Sequence, residues 1–194
     1  MQKLFLALAR LMAVLGGLVL TGLILLTCVS VLGRALNGFL HGGLAESLFP
    51  VLAQRLLDMG VGPVLGDFEL VEAGVAFAIF AFLPLCQITG GHATVDIFTT
   101  YFPRKANRAI QIVVDVVFAA VLVLIAWRLY EGMQEKVQYN ETTFMLQFPI
   151  WWAYAASLVA ATVAALTGIY VAIARIAENL SGRVILHGNE GAGE

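Results

Sequence analysis

Residues 142–174 read TTFMLQFPIWWAYAASLVAATVAALTGIYVAIA, without one charged side chain. A bilayer core about 30 Å thick needs roughly 20 helical residues at 1.5 Å each, so this run alone is long enough to cross a membrane. Working outward from it, Leu11–Gly33, Ala73–Val95 and Ile110–Trp127 are further apolar runs. The second carries His92 near its end and the third is interrupted by Asp115. The pattern predicts an all-α integral membrane protein with spans at about 11–33, 69–89, 107–130 and 149–174. Residues 1–180 would form one four-helix membrane domain and 181–194 a flexible cytoplasmic tail, Gly-rich and polar.

Composition agrees. Of 194 residues, 60% are hydrophobic and 12% charged, where a soluble domain carries about 25% charge. A net charge of −2 offers no basic surface for nucleic acid. Cys28 and Cys86 lie in separate apolar stretches with no CxxC pair, which excludes a disulfide framework, a zinc site or a four-span thiol oxidase. Both are expected to be buried, inert thiols.

The N-terminal apolar run is too long for a signal-peptide core of roughly 7–15 residues, so it is read as an uncleaved first helix. Orientation follows the Lys and Arg flanks. With the N-terminus inside, Lys3, Arg10, Arg104, Lys105, Arg108, Arg175 and Arg183 are cytoplasmic, against Arg34, Arg55, Arg128 and Lys136 outside. Both termini are then expected in the cytoplasm. Trp127, Arg128 and Tyr130 at the end of the third span, with Trp151, Trp152 and Tyr154 at the start of the fourth, form an aromatic belt at one membrane interface.

In the first loop, Glu46, Pro50, Gln54, Arg55 and Asp58 fall on one half of a helical wheel. Leu44, Leu48, Leu52, Leu56 and Met59 occupy the other. This predicts an amphipathic helix over about 47–59 lying in the interface, with Ser47 as its N-cap; a loop packed against the bundle is the alternative.

Candidate chemistry is sparse. There is no phosphate loop, nucleophile elbow or HExxH. His41, His92 and His187 lie outside the spans, which argues against haem held between helices. Asp115 is the sharpest residue, since a carboxylate in a span is a functional candidate by default. Arg108, Gln111 and Asp115 share one helical stripe, and Asp115 lies about 10 Å from Arg108 along the axis; a structural or subunit-contact role is favoured over an ion site. Glu69 and Glu72 open the second span, where carboxylates suit the helix dipole or could dock a partner outside. His92 and Asp96, spaced i, i+4, suit a hydrogen bond better than a metal site lacking further ligands. Ala156, Ala160, Ala164 and Gly168 form one small-residue ridge and Ala153, Ser157, Ala161 and Ala165 another, predicting close helix packing on two sides.

Together these residues resemble a known family. Arg34 after Gly33, Glu69-Leu-Val-Glu72, Leu83-Pro84-Leu85, Gly91-His92-Ala-Thr-Val95-Asp96 before Pro103-Arg104, and Leu146-Gln-Phe-Pro149-Ile-Trp151-Trp152-Ala-Tyr154 resemble, in order and spacing, the small DctQ-type membrane subunit of tripartite ATP-independent periplasmic (TRAP) transporters. The resemblance implies a scaffold without catalytic, substrate-binding or metal residues and without a cofactor, in a bacterial inner membrane. Its implied partners are lipid, a large multi-span subunit that carries the sodium coupling, and a periplasmic binding protein that delivers an organic acid, commonly a carboxylate. The alternatives are a four-span enzyme acting on lipid, which would use Glu69, Glu72, His92 or Asp96, and a standalone small channel or carrier with Asp115 lining its pore.

Overall fold

A computed structural model describes residues 2–42, 50–91 and 104–181. It is an all-α membrane protein with five described helices: α1 (Gln2–Leu40), α2 (Pro50–Asp58), α3 (Asp67–Thr89), α4 (Arg104–Gln138) and α5 (Trp151–Ser181). Four of them, all but α2, are long and apolar enough to cross a membrane.

The long helices stand in a row rather than a closed bundle. α1 packs on α3, α3 on α5 and α5 on α4, while α1 touches α5 only lightly. Small residues make the row possible, because lipid supplies no hydrophobic force between helices and close backbone approach must do so. A Cβ on Gly16 would lie 3.0 Å from Ala81 Cβ, and one on Gly168 3.2 Å from Leu122 Cδ1. On α5, Ala160, Ala161 and Ala164 are fully buried, and Gly168 is buried beside them. Ala156, on the same ridge, is exposed. Helix α5 is thus the axis of the row, with α3 on one side and α4 on the other.

Helix ends fall where chemistry places them. α3 starts after Gly66, held at φ 76°, and stops at Gly90, at φ 65°; both need the left-handed region that glycine enters freely. Gly91 N–H closes the end on Cys86 O at 3.0 Å. Pro84 sits inside α3 and is buried. α1 and α4 outrun the expected spans, reaching Gln2–Leu40 and Arg104–Gln138. At 1.5 Å per residue each is longer than the roughly 30 Å bilayer core, so both project beyond it. α5 begins at Trp151, because Pro149 pairs with Thr142 in an isolated bridge.

One expectation needs correction. Cys28 is exposed, because α1 flanks the row and shows one side to its surroundings, and Cys86 of α3 is only half-buried. The described part of the first-loop helix is Pro50–Asp58, within the expected 47–59; residues 43–49, including Ser47, lie outside the described residues, as do His92, Asp96, His187 and the tail from 182.

Candidate functional site

The described polar side chains gather at two levels. At the end holding Leu40, Asp67, Gln138 and Trp151, termed the loop end, Asp67 joins α1 to α3. Ser30 Oγ donates to Asp67 Oδ2 at 2.5 Å, and Arg34 reaches the same oxygen at 3.6 Å. Asp67 Oδ1 also accepts the Phe68 N–H. Nearby, Asn37 Nδ2 donates to Val61 O at 3.0 Å. Gly33 faces the backbone of Gly62 so closely that a Cβ there would overlap Gly62 O. Arg34 is therefore an intramolecular clamp for the start of α3.

Glu69 holds the loop between α4 and α5. Its two carboxylate oxygens accept the backbone N–H groups of Met145 at 2.6 Å and Leu146 at 2.9 Å. Within that loop Thr143 N–H donates to Phe148 O and Ile150 N–H to Glu141 O, each at 3.0 Å. Lys136 Nζ reaches Glu141 Oε2 at 2.6 Å. Glu72, one turn on, is exposed. Replacing Glu69 by Ala is expected to free the Met145 and Leu146 amides, so that hydrogen exchange quickens several-fold across 142–149 and not in α5. Unchanged exchange there would show that the loop does not depend on this carboxylate.

Glu69, Glu72, Thr143, Tyr154 and Ser157 line a cavity of about 290 Å³ between α3, α4 and α5, closed by Leu129, Phe148 and Ile150 among others. On its α1 side lies a wider apolar groove along Leu23, Leu70, Phe77 and Trp152. The two share Ala73, Phe148 and Ala153 in their walls.

The belt residues other than Tyr154 lie on the outer sides of α4 and α5. Trp127 Nε1 and Arg128 share the Glu131 carboxylate, at 2.8 and 2.9 Å, and Gln134 donates to the Tyr130 hydroxyl. Trp151 and Trp152 meet edge to face at 6.0 Å. Tyr154 turns inward, against Gly132. α4 continues for two turns past Tyr130, so the belt marks a depth along the helix and not its end.

At the second level, nearer the other end, Asp115 faces α5. Arg175 Nε lies 3.5 Å from Asp115 Oδ2, with side chains 27% and 16% exposed. Arg108 and Gln111, which share its stripe in the sequence, are exposed. Phe5 of α1 stacks on Tyr170 of α5 at 4.4 Å at this end. Among the described residues no group of three or more His, Cys, Asp or Glu could hold a metal ion. Glu69 and the end of α3 at Thr89 are about 30 Å apart along the helix.

Reasoning on one helix at a time missed the contacts between elements: Ser30 with Asp67, Glu69 with the loop amides, and Arg175 with Asp115. The only advance signal was polar type within an apolar run, which marks Ser30 and Ser157 without naming a partner.

The model of the family described as "Tripartite ATP-independent periplasmic transporters, DctQ component" matches residues 23–180. No curated protein and no solved structure matches the chain.

Proposed function

Because the chain belongs to the DctQ component family of tripartite ATP-independent periplasmic transporters, we propose that it is the small permease subunit that scaffolds a large multi-span partner. The partner would carry sodium-driven uptake of an organic acid, a carboxylate, delivered by a periplasmic binding protein. The observation that carries this reading is the row of helices. A single row leaves wide apolar faces on both flank helices, with Leu18, Leu25 and Leu32 of α1 and Val113, Val117 and Leu124 of α4 exposed. Lipid can cover part of such faces, and a partner's helices the rest.

The charged groups at depth fit a static role. Asp115 and Arg175 staple α4 to α5, and a transport pathway commonly uses broken helices or several buried charges. On this reading the chain has no catalytic or substrate-binding group, and the sodium sites lie in the partner. Lys and Arg around the start of α4 favour the cytoplasmic side for that end. The loop end then faces the periplasm of a bacterial inner membrane, with both termini in the cytoplasm. The 139–150 loop is accordingly available to the binding protein or to the partner's outer surface.

Extraction of the tagged chain from its native membranes in mild detergent tests this. A larger multi-span protein is expected in equimolar amount, identified by mass. Recovery of the chain alone, or only with copies of itself, would overturn the scaffold reading.

A further inference from the structure

Two hydroxyls in the wall of the cavity beside Glu72, those of Thr143 and Ser157, have no hydrogen-bond partner, and Ser157 is the buried one. Ser157 is 2% exposed, lines the cavity, and its Oγ has no hydrogen-bond partner. A helical Ser or Thr ordinarily satisfies its hydroxyl on the carbonyl one turn back. Two residues of the same helix do so: Thr162 bonds Leu158 O at 2.7 Å and Thr167 bonds Val163 O at 2.8 Å. Ser157 turns into the cavity instead. A buried hydroxyl left unmatched carries a desolvation cost that a bound group would remove.

The charge around that hydroxyl has one sign. Glu69 and Glu72 line the cavity, and no Lys or Arg does. Glu69 is committed to the Met145 and Leu146 amides, which leaves Glu72 as the carboxylate facing an incoming group. The nearby cation, Lys136, is held by Glu141 at 2.6 Å. A group entering here meets a carboxylate acceptor and a hydroxyl that can accept as well as donate. That pairing suits a cation with N–H donors.

Depth identifies the source. Leu129 and Tyr154 of the lining stand among Trp127, Tyr130, Trp151 and Trp152, the aromatic belt that sits at headgroup level in a bilayer. A volume of about 290 Å³ lies at the small end of ligand cavities, about 300–1,000 Å³. It admits a headgroup, with the acyl chains left in the surrounding lipid. The geometry points to a binding site for the primary ammonium of a phosphatidylethanolamine headgroup, held by Glu72 and the Ser157 hydroxyl. This site is independent of whether the chain scaffolds a transporter, so its test can fail without the scaffold reading failing.

The test is native mass spectrometry of the full chain, with whatever copurifies, titrated with phosphatidylethanolamine, phosphatidylcholine and phosphatidylglycerol of matched acyl chains. Phosphatidylethanolamine is expected to be retained most, because the quaternary choline has no N–H to donate and the glycerol headgroup has no cation. Glu72→Gln is expected to weaken that retention about tenfold, the loss of one charge-assisted hydrogen bond. Ser157→Ala is expected to weaken it too, leaving the other two lipids unchanged. Equal retention of the three lipids, or an unaltered preference in Glu72→Gln, would overturn the proposal. Displacement by millimolar free ethanolamine would overturn the lipid source. Retention appearing only after a partner is stripped away would assign the cavity to a cationic side chain of that partner. Loss of all three lipids in both variants would overturn the assignment to these two residues.

Discussion

A chain carrying Arg175→Leu is expected to lose much of its thermal stability in detergent, and the double variant Asp115→Leu/Arg175→Leu to recover most of it. The two side chains face each other at 3.5 Å between α4 and α5, each less than a third exposed. Removing the guanidinium takes away the cation that faces the Asp115 carboxylate inside an apolar setting. Breaking a buried pair from one side costs roughly 3–5 kcal/mol, whereas replacing both members by apolar groups is often neutral or stabilising. Melting curves of the wild type, both single variants and the double variant complete the cycle. A double variant no more stable than Arg175→Leu would show that the pair is not what this carboxylate depends on, and would return Asp115 to the list of functional charges.

The second large effect concerns two alanines eight residues apart on one ridge. Ala164→Leu is expected to destabilise the chain by about 1–3 kcal/mol, since added methylenes in a filled interior force displacement. Ala164 is fully buried and clusters with Leu122 and Ala165 between α4 and α5. Ala156→Leu is expected to change the isolated chain's stability by no more than roughly 0.5 kcal/mol, as exposed substitutions do, because Ala156 faces the open groove beside Trp152. The measurement pairs detergent melting with recovery of the large partner. If both variants melted alike, α5 would not be the packed axis of the row. A stable Ala156→Leu chain that no longer recovers the partner would place the partner in that groove.

These contrasts separate what one helix can say from what several must. The ridge Ala156, Ala160, Ala164 and Gly168 is visible as a spacing, yet only the neighbours of α5 show that its first member is open and the other three closed. Trp127 and Tyr130 are the aromatics expected at a membrane interface. α4 nevertheless runs on to Gln138, because hydropathy reports where lipid ends, while a helix ends where its backbone is capped. Asp115 and Arg108 share a stripe by periodicity, but the cation beside Asp115 comes from a residue on another helix. Glu69 satisfies the dipole rule for a helix start, and nothing local reveals that its oxygens hold the 142–149 loop.

The amino-acid sequence by itself determined the class and the number of spans, because the demand of a bilayer is met residue by residue along each run. It also carried the family, whose model matches residues 23–180. Only the tertiary structure decided that the helices form a row centred on α5, that the charged groups pair across elements, and that Ser157 opens into a cavity. Those outcomes depend on which helices meet and on which faces, and that choice is made by packing between segments far apart in the chain.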